Sequence, residues 1–226
     1  MKDNKKANEK IIKFSNLSMT KAKSKKILEK LIEYYGVTKS DLSFSGIYEL
    51  TIAVVLSAQT TDKQVNSVTP VLFKSYPGFK NLASASINDV ESIIRGVGLY
   101  KTKARNIIEL SKVIIDEYKN KVPDNMEELI KLPGVGRKSA NVILSIGYNK
   151  PAIAVDTHIL RISNRIGYVK SDDPFKVEMA LMSFIPMEDW IKAHLLIIKH
   201  GRNICSARKP LCLKCPINKL CNFPLR

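Results

Sequence analysis

Acidic side chains are few in this sequence beside basic ones. Thirty-seven Lys and Arg stand against 21 Asp and Glu, for a net charge of +16 over 226 residues. Residues 199–226 hold no acid at all, and residues 1–26 set nine Lys against only Asp3 and Glu9. Each end therefore carries +7, and the long body between them is left with +2. A near-neutral body with basic ends suits a polyanionic partner, of which nucleic acid is the commonest. Residues 1–26 read as a solvated, flexible tail that raises the encounter rate with such a partner.

Long apolar runs are missing too. The longest, Ile52 to Leu56, is far below the roughly 20 residues that cross a bilayer, so no membrane partner is expected. No apolar stretch follows the opening lysines as a secretion signal requires, and a cytoplasmic location is expected. Cysteine is absent before residue 205, and all four lie in the last 22 residues. That clustering rules out a disulfide framework spread through the chain and reads instead as a metal site. Strand signals are scarce, since no two β-branched runs are joined by a hairpin turn.

What is present is helical, and the fold class expected is all-α. Ile27, Leu28, Leu31, Ile32 and Tyr35 form a stripe of helical period that Gly36 ends as a C-cap. The apolar segment Tyr48 to Ala58 lacks alternation and reads as a buried helix. Thr61 and Gln64 form a capping box ahead of Val65, Val68, Leu72 and Phe73. Further helices are expected from Ser86, over Tyr100 to Tyr118, from Asp124 to the break at Pro133-Gly134, over Thr157 to Ile166, and from Asp173-Pro174. Gly96-Val97-Gly98 and Gly134-Val135-Gly136 have similar flanks and read as two helix–tight turn–helix units.

The second of these turns carries the chemistry. In Leu132-Pro133-Gly134-Val135-Gly136-Arg137-Lys138 the glycines let the backbone approach a ligand closely. Amides opening the next helix can then seat a phosphate, which positions a duplex without reading its bases. A plain turn between helices also uses glycine, but the added basic pair favours the phosphate. Lys138 stands in the first helical turn beside Arg137, where positive potential favours the neutral, nucleophilic amine. Asp156 is a natural N-cap for the helix that follows it. His158 reads as a packing or hydrogen-bonding residue rather than a base, and His194 and His200 as part of a helical face.

Cys205, Cys212, Cys215 and Cys221 follow a C-x6-C-x2-C-x5-C pattern. Four thiolates can hold zinc, but commonly as two separated C-x2-C pairs. The unequal short loops here suit an iron–sulfur cube with one Cys on each iron. Arg208 and Lys209 lie between the first two cysteines, so closing the loop on a metal fixes a basic surface.

Leu132 to Asn141, Val155-Asp156-Thr157-His158, the cysteine array, Ser57 to Asp62 and Gly98-Leu99-Tyr100 together resemble the endonuclease III family of helix-hairpin-helix DNA glycosylases. The likeness runs in order from about residue 27 to 223. It implies a helical-barrel domain over 40–150 and a discontinuous second domain from 27–39 plus 151–226, which carries a 4Fe-4S cluster. It implies that Lys138 attacks C1′ of a damaged nucleotide, with Asp156 assisting removal of the lysine proton and stabilising the developing sugar cation. A Schiff base and β-elimination then cut the strand. It further implies that Gln59 fills the gap opposite the orphaned base, that Leu99 acts as a wedge, and that Gly134, Val135, Gly136, Arg137, Arg208 and Lys209 contact DNA. The expected activity is a bifunctional N-glycosylase and abasic-site lyase on oxidised pyrimidines in duplex DNA, acting as a nucleoid-associated monomer. The alternatives are a monofunctional mismatch glycosylase using Asp156 and water, and a non-catalytic iron–sulfur DNA-binding protein.

Overall fold

A computed structural model describes residues 19–223. Residues 1–18 of the expected tail lie outside the described residues. The helices in chain order are α1 (Lys21–Tyr35), α2 (Ile47–Leu56), α3 (Asp62–Ser75), α4 (Phe79–Ala83), α5 (Ile87–Ile93), α6 (Tyr100–Asp116), α7 (Met126–Leu129), α8 (Arg137–Val142), α9 (Thr157–Ile166), α10 (Pro174–Phe184) and α11 (Trp190–Asn203). A π-helical segment, Ile143–Gly147, extends α8, and single 3₁₀ turns span Met187–Asp189, Cys212–Lys214 and Asn218–Leu220. There is no strand among the described residues, as the all-α reading expects.

Apolar side chains gather into two cores. The first, from Leu42 to Ala152, is built around α2, whose residues Leu50 to Leu56 are all buried. A helix surrounded on every side has no solvent face, which is why its sequence shows no amphipathic period. The second core joins α1 to α9, α10 and α11, with Ile27, Leu31, Ile159, Ile162, Leu181 and Leu196 almost fully buried. The chain therefore enters the second core, leaves to build the first, and returns.

Local signals explain most helix ends. The Thr61–Gln64 capping box is formed in full, and Gly36 closes α1 in a positive-φ conformation with its amide donating to Ile32 O. Asp173 caps α10, accepting from Phe175 N at 2.9 Å.

Other elements differ from expectation. α1 starts at Lys21 under a Thr20 cap, well ahead of the apolar stripe, with Met19 and Ser24 already buried. Ser24 Oγ shares a 2.8 Å hydrogen bond with Tyr168 Oη, so the described end of the expected tail is anchored. The cap of α7 is Asn125, which accepts from Glu128 N at 3.0 Å, while Asp124 pairs with Lys150 at 2.6 Å. The two Gly-Val-Gly turns do join helices, α5 to α6 and α7 to α8. Their geometry is different: the left-handed residue is Leu99 in one (φ 57°) and Gly134 in the other (φ 78°). The echo in sequence is not a repeat in conformation.

Between Gly147 and α9 the chain crosses from one core to the other. Ala152 to Val155 run buried through this crossing, and α8 and Asp156 flank it. The buried Asn141 amide of α8 donates to Ile153 O at 3.0 Å. That bond sets the register between the helix bearing Lys138 and the strip of chain leading to Asp156.

Candidate DNA-processing site

The turn before Lys138 is docked from below. A Cβ on Gly134 would stand 3.0 Å from both Val55 Cγ1 and Asn106 Nδ2, and its φ of 78° lies in a region that favours glycine. Val135 is buried in the first core, and its amide donates to Leu132 O at 3.0 Å. Val135 thus turns its side chain into the core and its amide back into the turn. Gly134 and Gly136 are exposed, and their amides carry no backbone hydrogen bond among the described residues.

Arg137 is likewise committed elsewhere. Its Nε and Nη2 donate to the two carboxylate oxygens of Glu178 at 2.9 and 2.7 Å, and its guanidinium lies over the Phe175 ring at 4.7 Å. Glu178 is buried on α10, and a buried carboxylate requires a cation. In this structure the side chain bridges the two lobes.

Lys138 follows at the second position of α8, exposed, and with no hydrogen bond or ion pair among the described residues. It opens on a cleft of about 1380 Å³, which it lines together with Ser57, Gln59, Asp156, His158 and Arg202. Asp156 reaches the same cleft as the N-cap of α9, its Oδ1 accepting from Ile159 N at 2.8 Å. The cap uses one oxygen and leaves Oδ2 outside it. Both expected catalytic residues are thus brought together, and the capping role of Asp156 coexists with access to the cleft.

His158 shares a 3.1 Å contact with Arg161 and packs against Gly201. Burial holds its pKa below the ordinary value, as befits a packing residue. Arg202 of α11 reaches across to Asp41 and to Asp62 (2.7 Å), tying the lobes a second time.

Gln59 and Leu99 form a ridge beside this cleft. Both are exposed and both adopt positive φ, 53° and 57° respectively. Non-glycine residues take that conformation only when their surroundings impose it. The two loops abut at Gly98, where the position of a Cβ lies 3.5 Å from Gln59 O, an ordinary contact distance. Lys103, nearly buried, donates from Nζ to Thr60 Oγ1 at 2.6 Å and fastens α6 to the Gln59 turn. Burial lowers its pKa. Its role has no sequence signal beyond membership of a basic run.

The four cysteines line one small apolar cavity with Ile162, Ile166, Ile204 and Ile217. No three His, Cys, Asp or Glu among the described residues converge on a single-ion site. Arg165 Nη1 lies 3.3 Å from Cys205 Sγ, and His200 Nε2 lies 3.5 Å from Cys215 Sγ. Burial pushes the Cys215 thiol up to about 11, so thiolates here need positive charge to hold them. Arg161 and Arg165 also bind the carbonyls of Cys205, Ser206 and Ala207. These arginines anchor the loop to α9, and sequence reasoning missed them. Arg208 and Lys209 project from the loop, exposed and outside any ion pair among the described residues.

Comparison with known proteins places this geometry in context. Residues 52–187 match the model of the HhH-GPD superfamily base excision DNA repair protein. Endonuclease III of Bacillus subtilis is 43% identical over 195 residues, covering 86% of this chain and 89% of that protein. Endonuclease III of Synechocystis is 44% identical, covering 86% and 88%. A solved structure of a trapped endonuclease III–DNA covalent intermediate superposes with a TM-score of 0.86 at 43% identity, covering 90% of this chain and 96% of that one. A thermostable thymine-DNA glycosylase, 24% identical, shares the fold with a TM-score of 0.78 over 89% and 96% of the two chains.

Proposed function

The chain belongs to the endonuclease III family within the HhH-GPD superfamily of base excision repair proteins, and from that premise we propose that it is a bifunctional DNA glycosylase and abasic-site lyase acting on oxidised pyrimidines in duplex DNA. The observation that carries the reading is the meeting of an unpaired Lys138 amine and the Asp156 carboxylate on one open cleft.

A base within a duplex is out of reach until it is extruded, at a cost of a few kcal/mol. Gln59 and Leu99, held side by side in their strained turns, are suited to fill and wedge the vacated stack. The free amides of Gly134 and Gly136 seat a phosphate of the damaged strand. Asp156 accepts a proton from the Lys138 ammonium and faces the positive charge that grows on the sugar. The amine nitrogen then bonds to C1′ as the C1′–N bond to the base breaks, and the base leaves carrying a proton. Ring opening gives a protonated Schiff base, which acidifies the C2′ hydrogen. Loss of that proton expels the 3′ oxygen as a phosphate ester, and water releases the enzyme. One difficult step is thereby divided into easier ones.

Cys205, Cys212, Cys215 and Cys221 would hold a 4Fe-4S cluster, for which the shared apolar cavity and the Arg165 contact are a fitting environment. When bound, the cluster supplies cross-linking of the loop and charge compensation for its thiolates. Arg208 and Lys209 then present a fixed basic surface to the DNA backbone.

The test is borohydride trapping on an oligonucleotide bearing a single oxidised pyrimidine. Wild type is expected to form a covalent adduct, and Lys138→Ala to form none. Base release without strand cleavage in the wild type, preserved in Lys138→Ala, would instead establish a monofunctional enzyme.

A further inference from the structure

Lys103 of α6 is the one lysine buried among the described residues, at 4% exposed. Its helical neighbours Ala104, Ile107 and Ile108 are core residues. No carboxylate pairs with it among the described residues, and desolvation lowers its pKa. Burying an ammonium without a counter-charge opposes folding, so an apolar side chain would suit this position better. A residue that breaks a local rule in this way points to a function.

The two ends of Lys103 supply one. Its amide donates to Leu99 O at 3.0 Å, and its Nζ donates to Thr60 Oγ1 at 2.6 Å. Thr60 Oγ1 donates onward to Ala58 O at a longer 3.4 Å, and the Thr60 amide donates to Ser57 O at 3.1 Å. These bonds close the turn on either side of Gln59. A single residue thus grips both strained loops, Leu99 through its main chain and the Gln59 turn through its side chain. Positive φ at Gln59 and Leu99 persists only where the surroundings over-determine it, and Lys103 is the element common to both.

We propose that Lys103 is a positioning residue for base extrusion, its bond to Thr60 holding Gln59 at a fixed spacing from Leu99. The inference rests on the glycosylase reading above and adds to it the residue that keeps the ridge assembled. Parting a base stack loads both ridge residues at once, because the neighbouring bases push back. A loop free to retreat would yield instead of separating them. Fixing the ridge beforehand removes its ordering cost from the extrusion step. Lys103 itself does not line the cleft, so it acts through Gln59 and Leu99 and not on the substrate.

The experiment measures excision of 5-hydroxycytosine, an oxidised pyrimidine, from a fully paired duplex and from the centre of an unpaired bubble, where the stack is already open. In Lys103→Met, which keeps the stem and drops the ammonium, duplex excision is expected to fall by about tenfold or more, and bubble excision by far less. Its Tm should hold or rise, because a buried charge is gone, whereas a lysine serving stability alone would lower Tm and both activities together. Thr60→Val, which removes the hydroxyl on the other side of the bond, should reproduce the duplex-selective loss. It replaces Lys103→Met if that protein does not melt cooperatively. Thr60→Ser, which keeps the hydroxyl, should excise from the duplex nearly as well as wild type. Duplex and bubble rates falling in parallel, an undiminished duplex rate in Lys103→Met, or Ser faring no better than Val would overturn the proposal. A wild type that excises from neither substrate would instead bring down the glycosylase reading itself.

Discussion

His194 ties stability to pH at a single residue. Desolvation pulls its pKa from an ordinary 6.5 to about 4, with Asp156 opposing the shift and Lys138 adding to it. The unfolded chain binds a proton at this residue below about pH 6.5, and the folded chain does so only below about 4. Stability is thus intact above 6.5 and falls as pH drops through the interval between, by roughly 3 kcal/mol at full extent. His194→Gln is expected to flatten the acid limb of a plot of Tm against pH between 6.5 and 4, and an unchanged slope would contradict this origin. Side chains whose role depends on their immediate neighbours were legible in sequence. Asp156 announces itself as a cap, and Lys138 by its turn. The Arg137–Glu178 fork has no sequence signal, because its partners lie 41 residues apart and no local pattern connects them. His194 has no motif at all, because the isolation of its buried Nδ1 depends on what the fold fails to place beside it.

At the level of elements, the approach of α11 to α9 fixes where Asp156 stands. Gly201 makes that approach possible: a Cβ there would lie 2.7 Å from Ile162 Cδ1 and 2.9 Å from His158 Nδ1. Gly201→Ala is expected to cost about 1–3 kcal/mol by overpacking and to slow excision by displacing the first turn of α9. Equal Tm and rate in the variant would show that the helices can part without cost. The Arg137–Glu178 fork joins α8 to α10 in the same manner. Arg137→Met leaves a buried carboxylate uncompensated and is expected to lose about 1.5–3 kcal/mol. Part of that returns in the Arg137→Met/Glu178→Gln pair, and strictly additive losses in the cycle would refute the coupling. Caps and apolar stripes made the long helices readable. α4 and the π-helical turn are too short to show a period, and α1 begins with six polar or small residues whose helicity derives from the Thr20 cap and from packing against the second lobe.

On the scale of the whole molecule, the two basic ends expected from composition have different structural fates. The C-terminal one is organised around the cysteine cavity, and the N-terminal one becomes α1 from Lys21 onward. Two ion-pair bridges, Arg137–Glu178 and Arg202 with Asp41 and Asp62, span the lobes on either side of Lys138 and Asp156. The cleft is therefore braced in its open form before any substrate arrives, which lowers the ordering cost of binding. Composition foretold a polyanion partner, but the bracing needed contacts between residues as distant as Asp41 and Arg202, and sequence periodicity does not report those.

The packing of α1 on α11 also dictates an order of assembly. Everything the first core needs has been synthesised by residue 152, whereas α1 must wait from residue 35 until residue 190 for the helix that covers it. Contacts so far apart in the chain form late. In refolding followed by pulsed hydrogen exchange, amides of Leu50 to Leu56 should gain protection before those of Leu28 to Tyr35, and the reverse order would be incompatible with this topology. On the ribosome the cysteine loop emerges after the helices it packs against, onto a lobe whose other half was made first. Loading of the proposed metal centre then follows the folding of the lobe that bears Lys138.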